Sequence, residues 1–425
     1  MTTMRSTHLF QPDLAGSIHA SPILASLGSE ARERFNELGF PSRRDEDWRL
    51  TALTPVTGHP FSRAPEATTA TEHWTLPDAV TITFVNDRLV GGAAENDLPA
   101  GITITALSSA AQSQTQLIEE HLGRLASFDD QPFVALNTAQ SLEGALIHLA
   151  PGAILDRPIN IIYATTGDDV VTYPRTLIVA EENAKATVVE TFVGDGRSLI
   201  CPVTEIAVGP SATLQHTRLI ELSAEGSCIG SVSATVERNA AYRLSSAGLG
   251  GSLARTDIRV GLNGKGADAT LDGLTLVGGK GQGITHVVVE HRVPNCTSTQ
   301  RYRSVLDDRS KAVFTGCIIV AEDAQKTDAR QSSRSLLRSS DAVAHNNPQL
   351  EIYADDVRCT HGSTVGQLDE EALFYLRARG IDRLTAEGLL TLAFAAEVLE
   401  GIPVEAVKSR LEDQLMAQLG PEITR

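Results

Sequence analysis

A short motif in residues 182–191, ENAKATVVET, decides the fold, because a turn ends at Ala184 and a run of β-forming residues follows it. The same order of turn, alanine and apolar residue returns at Ala212 (SATL), Ala240 (NAAY) and Ala267 (GADAT), at spacings of 28, 28 and 27 residues. A repeat of roughly 20–50 residues is typical of solenoids and propellers. A small residue that returns at one corner suits stacked coils, since successive turns approach closely there.

The rest of the central region supports this interpretation. From about residue 150, short runs of Val, Ile, Leu and Thr alternate with Gly, Asn and Asp turns, with no convincing helix for about 180 residues. The alanine motif resumes after a gap of 45 residues at Ala312 (KAVF) and then at Ala342 (DAVA). We therefore predict a mainly β protein with a parallel β-solenoid core. An antiparallel sandwich with evenly spaced hairpins is the alternative that the pattern leaves open.

The regions on either side of the solenoid differ from it in pattern. We predict an N-terminal helical or mixed region at 1–135, the solenoid core at 136–364 and a C-terminal helical domain at 365–425. In the N-terminal region, SEARERFNELGFP predicts a helix with Ser29 as its N-cap and a stop at Gly39.

Three helices are predicted in the C-terminal domain. Asp369 is the expected N-cap of the first, which Gly380 ends, and Thr385 is the expected N-cap of the second. The third carries one apolar stripe at intervals of 3, 4 and 4, made of Val404, Val407, Leu411 and Leu415. Such helices can cap the solenoid or form a docking module.

Composition limits the partners and the compartment. The net charge of −17 repels nucleic acid and anionic membrane surfaces, so neither is an expected partner. The N-terminus, MTTMRSTHLFQPDL, lacks the apolar core of a secretory signal. The cysteines are odd in number and scattered, which indicates a reducing cytoplasm rather than a disulfide framework. They are Cys201, Cys228, Cys296, Cys317 and Cys359.

The glycine-rich segments and two of the histidines are interpreted as structural. Residues 261–268, GLNGKGAD, and 277–283, VGGKGQG, match neither a P-loop nor G-x-G-x-x-G, and solenoid turns explain them better. His286 and His291 are five residues apart, so a strand places them on opposite faces and a joint metal site is not expected. No residue pattern points to a catalytic centre.

The pair Cys359 and His361, in DDVRCTHGST, is the candidate site. Residues i and i+2 of an extended chain project from the same face, so thiol and imidazole would lie side by side. These ligands suit iron–sulfur clusters, zinc or copper. Two ligands do not complete such a site, which normally has about four. Further ligands would therefore have to come from elsewhere, for example from a second chain.

Two long segments carry a family resemblance. They are EHRVPNCTSTQRYRSVLDDRSKAVFTGCIIVAEDAQKTDARQ (290–331) and PQLEIYADDVRCTHGSTVGQLDEEALFYLRARGI (348–381). Together with PSRRDEDWRLT (41–51), they resemble the SufB/SufD family of iron–sulfur cluster assembly proteins, and the C-terminal segment is similar to its SufD-type members. The match is strong over about a quarter of the chain and weaker but collinear over the rest.

The resemblance implies a fold, two partners and a site. The implied fold is a right-handed parallel β-helix between an N-terminal helical region and a C-terminal helical domain. The implied partners are a SufB-type paralogue and a SufC-type ATPase, which docks on the C-terminal helices and hydrolyses ATP. A nascent iron–sulfur cluster, or iron, would be held transiently at the SufB–SufD interface by His361, with Cys359 beside it. The chain is then a scaffold and not an enzyme, and no tightly bound cofactor is expected in the isolated chain.

Two rival functions remain open at this point. One is a homodimeric metal-binding scaffold, in which two symmetry-related pairs of Cys359 and His361 form one site. An unpaired strand edge would also let the isolated chain associate with itself. The other is a polysaccharide-active β-helix enzyme, but such enzymes are usually secreted. The resemblance does not say whether a flavin takes part.

Overall fold

The fold is known from a computed structural model that describes residues 22–92, 98–141 and 143–418. It is mainly β, and its two large sheets, of 12 and 10 strands, stack into the predicted parallel solenoid between N-terminal and C-terminal helices. The N-terminal stretch in which the sequence predicts no secretory signal, residues 1–14, lies outside the described ranges.

The helices lie at the two ends of the chain, with one group before the solenoid coils and one after them. They are α1 (Pro22–Leu38), α2 (Thr54–Thr57), α3 (Leu107–Ser113), α4 (Thr115–His121), α5 (Pro132–Gln140), α6 (Glu370–Arg377), α7 (Arg383–Leu399) and α8 (Glu405–Gln418).

The strands of the first sheet are β1 (Ser62–Arg63), β4 (Ile102–Ala106), β5 (Gly144–Leu149), β7 (Val170–Thr172), β8 (Arg175–Ala180), β10 (Ser198–Ile200), β11 (Val203–Val208), β13 (Ser227–Val236), β15 (Leu253–Leu262), β17 (Gln282–His291), β19 (Lys311–Val320) and β21 (Val343–Ile352). Those of the second sheet are β2 (Val80–Val85), β3 (Arg88–Gly91), β6 (Ile159–Thr165), β9 (Lys185–Gly194), β12 (Thr213–Leu222), β14 (Ala241–Gly250), β16 (Asp268–Val277), β18 (Thr297–Leu306), β20 (Asp328–Leu337) and β22 (Arg358–Gly366).

Pairing within the coils is parallel throughout. Alternate strands belong to alternate sheets, so the second sheet runs from β9 through β12, β14, β16, β18 and β20 to β22. Its register is unbroken, and Leu214, for example, pairs with Tyr242, which pairs with Ala269. Among the described strands, antiparallel pairing occurs only at the N-terminal end, where β3 pairs with β2 and β4 with β5. The structure therefore excludes the antiparallel sandwich.

The core is the interior of the solenoid, and its walls follow the two-residue period of the strands. In β16, Ala269 and Leu271 point inward and belong to the large central cluster of buried apolar residues. Leu274 and Leu276 of the same strand point outward, and they are buried against the C-terminal helices. The N-terminal helices and the segment around Trp48 cover the outer face of the other sheet.

The predicted alanine corner is present in the structure. Ala184, Ala212, Ala240 and Ala267 are all buried, and each directly precedes a strand of the second sheet. The residue before each of them has a positive φ, which is +60° at Asn183. This sharp turn brings successive coils close together, and a small side chain fits there.

The continuation of the repeat was predicted wrongly. After Ala267, the same corner is occupied by Cys296 and Thr327, both buried and both preceded by a residue with positive φ. Ala312 and Ala342 lie instead in and just before strands of the other sheet. The corner requires a small side chain and not alanine in particular. The gap of 45 residues in the alanine pattern is therefore not an interruption of the coils.

The helix ends agree only in part with the sequence. Helix α1 begins at Pro22, so Ser29 lies inside it and is not its N-cap, whereas Gly39 follows its end with φ of +65°. Asp369 caps α6 by accepting the backbone N–H groups of Glu371 and Ala372, as predicted. The N-cap of α7 is Asp382, three residues before the predicted Thr385, and its side chain accepts the N–H of Thr385 at 3.0 Å. Of the predicted apolar stripe, Val407, Leu411 and Leu415 are buried on α8, whereas Val404 precedes the helix and is half-buried.

The two histidines of β17 lie on opposite faces, as predicted. His286 points outward, with its Nδ1 3.5 Å from Asp257 and its Nε2 3.8 Å from Asp47. His291 points inward and is buried, with its Nε2 2.8 Å from the hydroxyl of Ser298. Both are structural residues of the solenoid.

Protonation of His291 is expected to destabilise the solenoid in acid. Burial lowers the pKa of its imidazole from 6.5 to about 4. The unfolded chain therefore binds the proton first, and stability falls as the pH drops from about 6.5 towards 4. Between about pH 7.5 and 4.5 this one group removes about 2.5 kcal/mol of the free energy of unfolding.

Urea denaturation at both pH values checks this expectation. His291→Gln keeps a polar side chain beside Ser298 but cannot be charged. Between the two pH values, the free energy of unfolding of this variant should fall by about 2.5 kcal/mol less than that of the wild type. An equal pH dependence in the two proteins would contradict the assignment.

Candidate functional site at the C-terminal end of the solenoid

The solenoid ends in an open coil. Strands β21 and β22 are the last members of their sheets, and each pairs on one side only, β21 with β19 and β22 with β20. Nearly all of β22 is exposed, whereas the strands before it are largely buried. Among the described residues, the outer edge of each strand therefore presents backbone N–H and C=O groups that have no strand partner.

Cys359 and His361 both lie on the inward side of β22. Cys359 pairs in register with buried Ala329 and is packed against the small apolar cluster that closes the end of the core. His361 is two residues further along the same strand, so its side chain leaves the backbone on the same side. The structure thus places the two predicted site residues on one face, with Cα atoms about 7 Å apart.

The two side chains differ in exposure and in reactivity. Cys359 is half-buried, and this burial, together with the nearby Asp328 carboxylate, raises the pKa of its thiol above 9.0. A raised thiol pKa keeps the sulfur protonated, which weakens it as a ligand and as a nucleophile. His361 is exposed, and imidazole is the commonest metal ligand among the side chains. The imidazole is therefore the stronger candidate of the pair.

The described part of the chain holds no group of three or more His, Cys, Asp or Glu side chains that could bind a metal ion. Cys359 and His361 thus do not form a complete metal centre on their own.

Apolar side chains surround the open coil. They project from its two strands and from the turn between them, and they are Val343, Ile352, Tyr353 and Val365, of which Tyr353 is 63% exposed. Exposed large apolar residues together with free strand edges are typical of a protein interface.

A second exposed apolar surface lies on the C-terminal helices. Its members are Phe374 (74% exposed), Tyr375 (55%), Leu384 and Leu389, and we call it the α6–α7 surface. The opposite face of α7 is buried on the outer side of the second sheet, and α6 packs on α7.

Polar contacts fix the same helices to the solenoid. Glu397 of α7 forms an ion pair with the buried Arg303 of β18. Glu221 of β12 accepts hydrogen bonds from Arg410 (2.7 Å) and Gln414 (3.2 Å) of α8, and from the indole of Trp74 (3.1 Å). The helices, the solenoid and the N-terminal region are thus joined at one carboxylate.

Several residues of the open end were not anticipated from the sequence. Gln331 precedes His361 in the same inward column, and Gln300 precedes Gln331. Their signal is positional, because each is a buried amide at an inward position of its strand, where the coil before them has Leu271. This positional signal can be recognised only when the register between the coils is known.

The fold and this site define a class of protein: a parallel β-solenoid whose last coil is left open beside a pair of metal-ligating side chains. The SUF system FeS cluster assembly SufBD core domain matches residues 163–394, and the SufBD protein N-terminal region matches residues 9–161. The chain belongs to the SufBD family of iron–sulfur cluster assembly proteins.

Its relatives agree with this assignment. The chain is 30% identical to the iron–sulfur cluster assembly protein SufD of Escherichia coli, over 93% of this chain and 92% of the relative. It is also 30% identical to an iron–sulfur cluster assembly SufBD family protein of Synechocystis, over 92% and 90%. Identity to SufD of Bacillus subtilis is 27%, over 73% and 72%. The resemblance predicted from the sequence is confirmed.

Proposed function

We propose that this chain is a SufD-type scaffold subunit that pairs with a SufB-type paralogue through the open coil. His361, with Cys359 in a secondary role, would contribute to holding iron or a nascent cluster at the joint. One observation carries the proposal. His361 continues an inward column whose two preceding members, Gln300 and Gln331, are buried, yet it is exposed because no coil follows β22.

The open coil suits a solenoid partner. Its free strand edges can extend either sheet into a second chain, and the apolar side chains around them would be buried by that contact. The joint would also bring ligands from the partner towards His361, which supplies what the two residues of this chain lack. Iron or the cluster is the cargo of this joint rather than a resident cofactor.

The α6–α7 surface is our proposed docking site for a SufC-type ATPase. It is apolar and exposed, and of its two helices α7 is fixed to the solenoid through Arg303 while α6 packs on α7. A movement of the ATPase would therefore be transmitted to the solenoid, because the helices between them are packed together and against it. ATP hydrolysis would belong to that partner, and this chain would not be an enzyme.

We place the protein in the cytoplasm. The cysteines at all five positions are free thiols, as in a reducing compartment. In the part of the chain that the structure describes, no helix has both the length and the apolar character that a membrane span needs.

Substitution of His361 tests the proposal. The chain is co-expressed with the paralogue and the ATPase, and complex composition is measured by size exclusion. Iron, sulfide and absorbance are then measured anaerobically. We expect the complex with His361→Ala to assemble normally and to contain at least about tenfold less cluster than the wild type, because one cluster ligand is missing. Cys359→Ser should lose less, since its thiol is half-buried and held protonated.

His345 offers a matched control. It is an exposed histidine of the same coil, but it projects outward from β21. His345→Ala should keep both assembly and cluster. If His361→Ala and His345→Ala behave alike, His361 is only a residue of the last coil and the role of the chain is architectural.

A homodimeric metal-binding scaffold is the second candidate, and one observation favours it. The open edges can pair with a second copy of this chain as well as with a paralogue, which would bring two pairs of Cys359 and His361 together. Iron bound per dimer by the purified chain, unchanged when the paralogue is added, would support it. The family membership leaves the polysaccharide-active enzyme without support.

A further inference from the structure

Three polar residues follow one another in a single inward column of the second sheet. Gln300 pairs in register with Gln331, and Gln331 pairs with His361. The two members directly before them, Leu244 and Leu271, are apolar, and the member before those is the buried His216. The column thus changes from apolar to polar over the last three coils and ends at the candidate ligand.

Gln331 is held in one orientation. Its side-chain Nε2 donates to Oε1 of Gln300 at 3.0 Å inside the core. Gly316 provides the space for it, because a Cβ added there would lie 2.4 Å from the Gln331 Nε2 and 2.7 Å from the ring of Phe314. The amide is therefore fixed by a hydrogen bond on one side and by packing on the other.

The carbonyl of this amide has no partner in the described structure. Oε1 of Gln331 is buried and accepts no hydrogen bond. An unsatisfied buried acceptor costs about 1–3 kcal/mol, so a donor is expected nearby. In a ladder of carboxamides along parallel strands, each amide donates to one neighbour and accepts from the next. Gln331 donates back to Gln300, which leaves its acceptor free for a donor on the other side, and the next strand on that side, β22, carries His361.

We propose that Gln331 is a positioning residue for His361. Its carbonyl accepts the ring N–H of the imidazole, and Gln300 anchors it from behind. This fixes which nitrogen of the His361 ring carries the proton, and it leaves the lone pair of the other nitrogen directed out of the open end. Metal-binding histidines commonly donate their second ring nitrogen to such an acceptor. The inference rests on the proposed role of His361 in holding iron or a cluster.

The tautomer of His361 tests the inference without any metal. The full chain is labelled with ¹⁵N-histidine and studied by NMR at about pH 8.5, where ordinary imidazoles are neutral. The His361 signals are those missing from His361→Ala. We expect a single tautomer in the wild type and in Gln331→Glu, which keeps an acceptor oxygen. Gln331→Met, similar in volume but without an acceptor, should give a mixture of the two tautomers.

The control and the contrary result are both defined. Gln215→Met changes a glutamine on the outer face of the same sheet, where it bonds Thr187, and should leave the His361 tautomer unchanged. The wild-type tautomer in Gln331→Met would overturn the inference, and so would a mixture in the wild type. Circular dichroism confirms that the variants are folded.

The cluster assay separates this inference from the function on which it rests. In the complex, Gln331→Met should lower cluster content severalfold and Gln331→Glu should restore it. If His361→Ala retains its cluster, the proposed function fails, while the tautomer experiment still decides the hydrogen bond. If His361→Ala loses its cluster and Gln331→Met shows the wild-type tautomer, only the positioning role fails.

Discussion

Glu205→Ala is expected to leave little folded protein. It should lower the free energy of unfolding by about 3–5 kcal/mol, because it breaks a buried ion pair and leaves the other charge buried without a partner. Glu205 is fully buried and pairs with the equally buried Arg175. It also accepts backbone N–H groups from Gly123, Leu125 and Ala126 at 2.9–3.0 Å. The substitution leaves the buried charge of Arg175 without its carboxylate, although Asn137 and Thr138 still accept from it, and it removes the acceptor of three backbone N–H groups.

Soluble yield and urea denaturation measure this effect. Glu225 supplies the control, since it is an exposed glutamate whose contact with Arg197 is long, at 3.9 Å. Surface pairs of this kind contribute less than about 1 kcal/mol, so Glu225→Ala should resemble the wild type. Similar stability of the two variants would show that Glu205 does not join the N-terminal loop to the solenoid in the way described.

Phe374→Asp is expected to weaken binding of the SufC-type ATPase about 30-fold or more. Phe374 is the most exposed residue of the α6–α7 surface, and a buried aromatic anchor at an interface commonly contributes about 2 kcal/mol. A charge at that position cannot be buried without a partner. Because the side chain is 74% exposed in the free chain, its fold should be unaffected.

Calorimetric titration of the purified chain with the ATPase checks this prediction. Val90→Asp is the matched control, because Val90 is 52% exposed on β3, at the other end of the solenoid. Unchanged affinity in both Phe374→Asp and Leu384→Asp would place the docking site elsewhere.

Point variants are a sharper test than removal of the whole C-terminal domain. Helices α7 and α8 cover Leu219, Leu274 and Leu276 on the outer face of the second sheet. Deletion of residues 367–425 would expose this apolar face to water and favour aggregation. Loss of ATPase binding in such a truncated chain could then not be assigned to a lost docking surface.

The fold could be predicted because its signal is local and repeated. A turn, a small residue and a run of β-forming residues recur at Ala184, Ala212 and Ala240, and each copy can be read without knowledge of the others. The prediction failed where the corner used a different small residue, at Cys296 and Thr327. Packing at the corner acts on volume, whereas the pattern search followed residue identity.

The candidate site could be predicted only in its exposed part. Cys359 and His361 are adjacent on one strand, so their spacing alone places them on one face. Gln331 lies 30 residues before His361, and only the register between β20 and β22 brings the two together. The offset between paired residues of successive coils ranges from 26 (Ser227 to Leu253) to 32 (Lys311 to Val343), so this register could not be counted from the sequence.

The two ends of the solenoid differ in the direction of their outermost strands. At the C-terminal end, β21 and β22 run parallel to their neighbours, whereas at the N-terminal end, β3 and β4 run antiparallel to theirs. A further solenoid therefore cannot continue the parallel register from the N-terminal end. In polymer chemistry, the functionality of a monomer is the number of ends at which it can be joined to others. By that definition this subunit has a functionality of one. If two such subunits pair through their open coils as proposed, the described strands leave no parallel end for a third, and the stacked coils do not grow into a fibre.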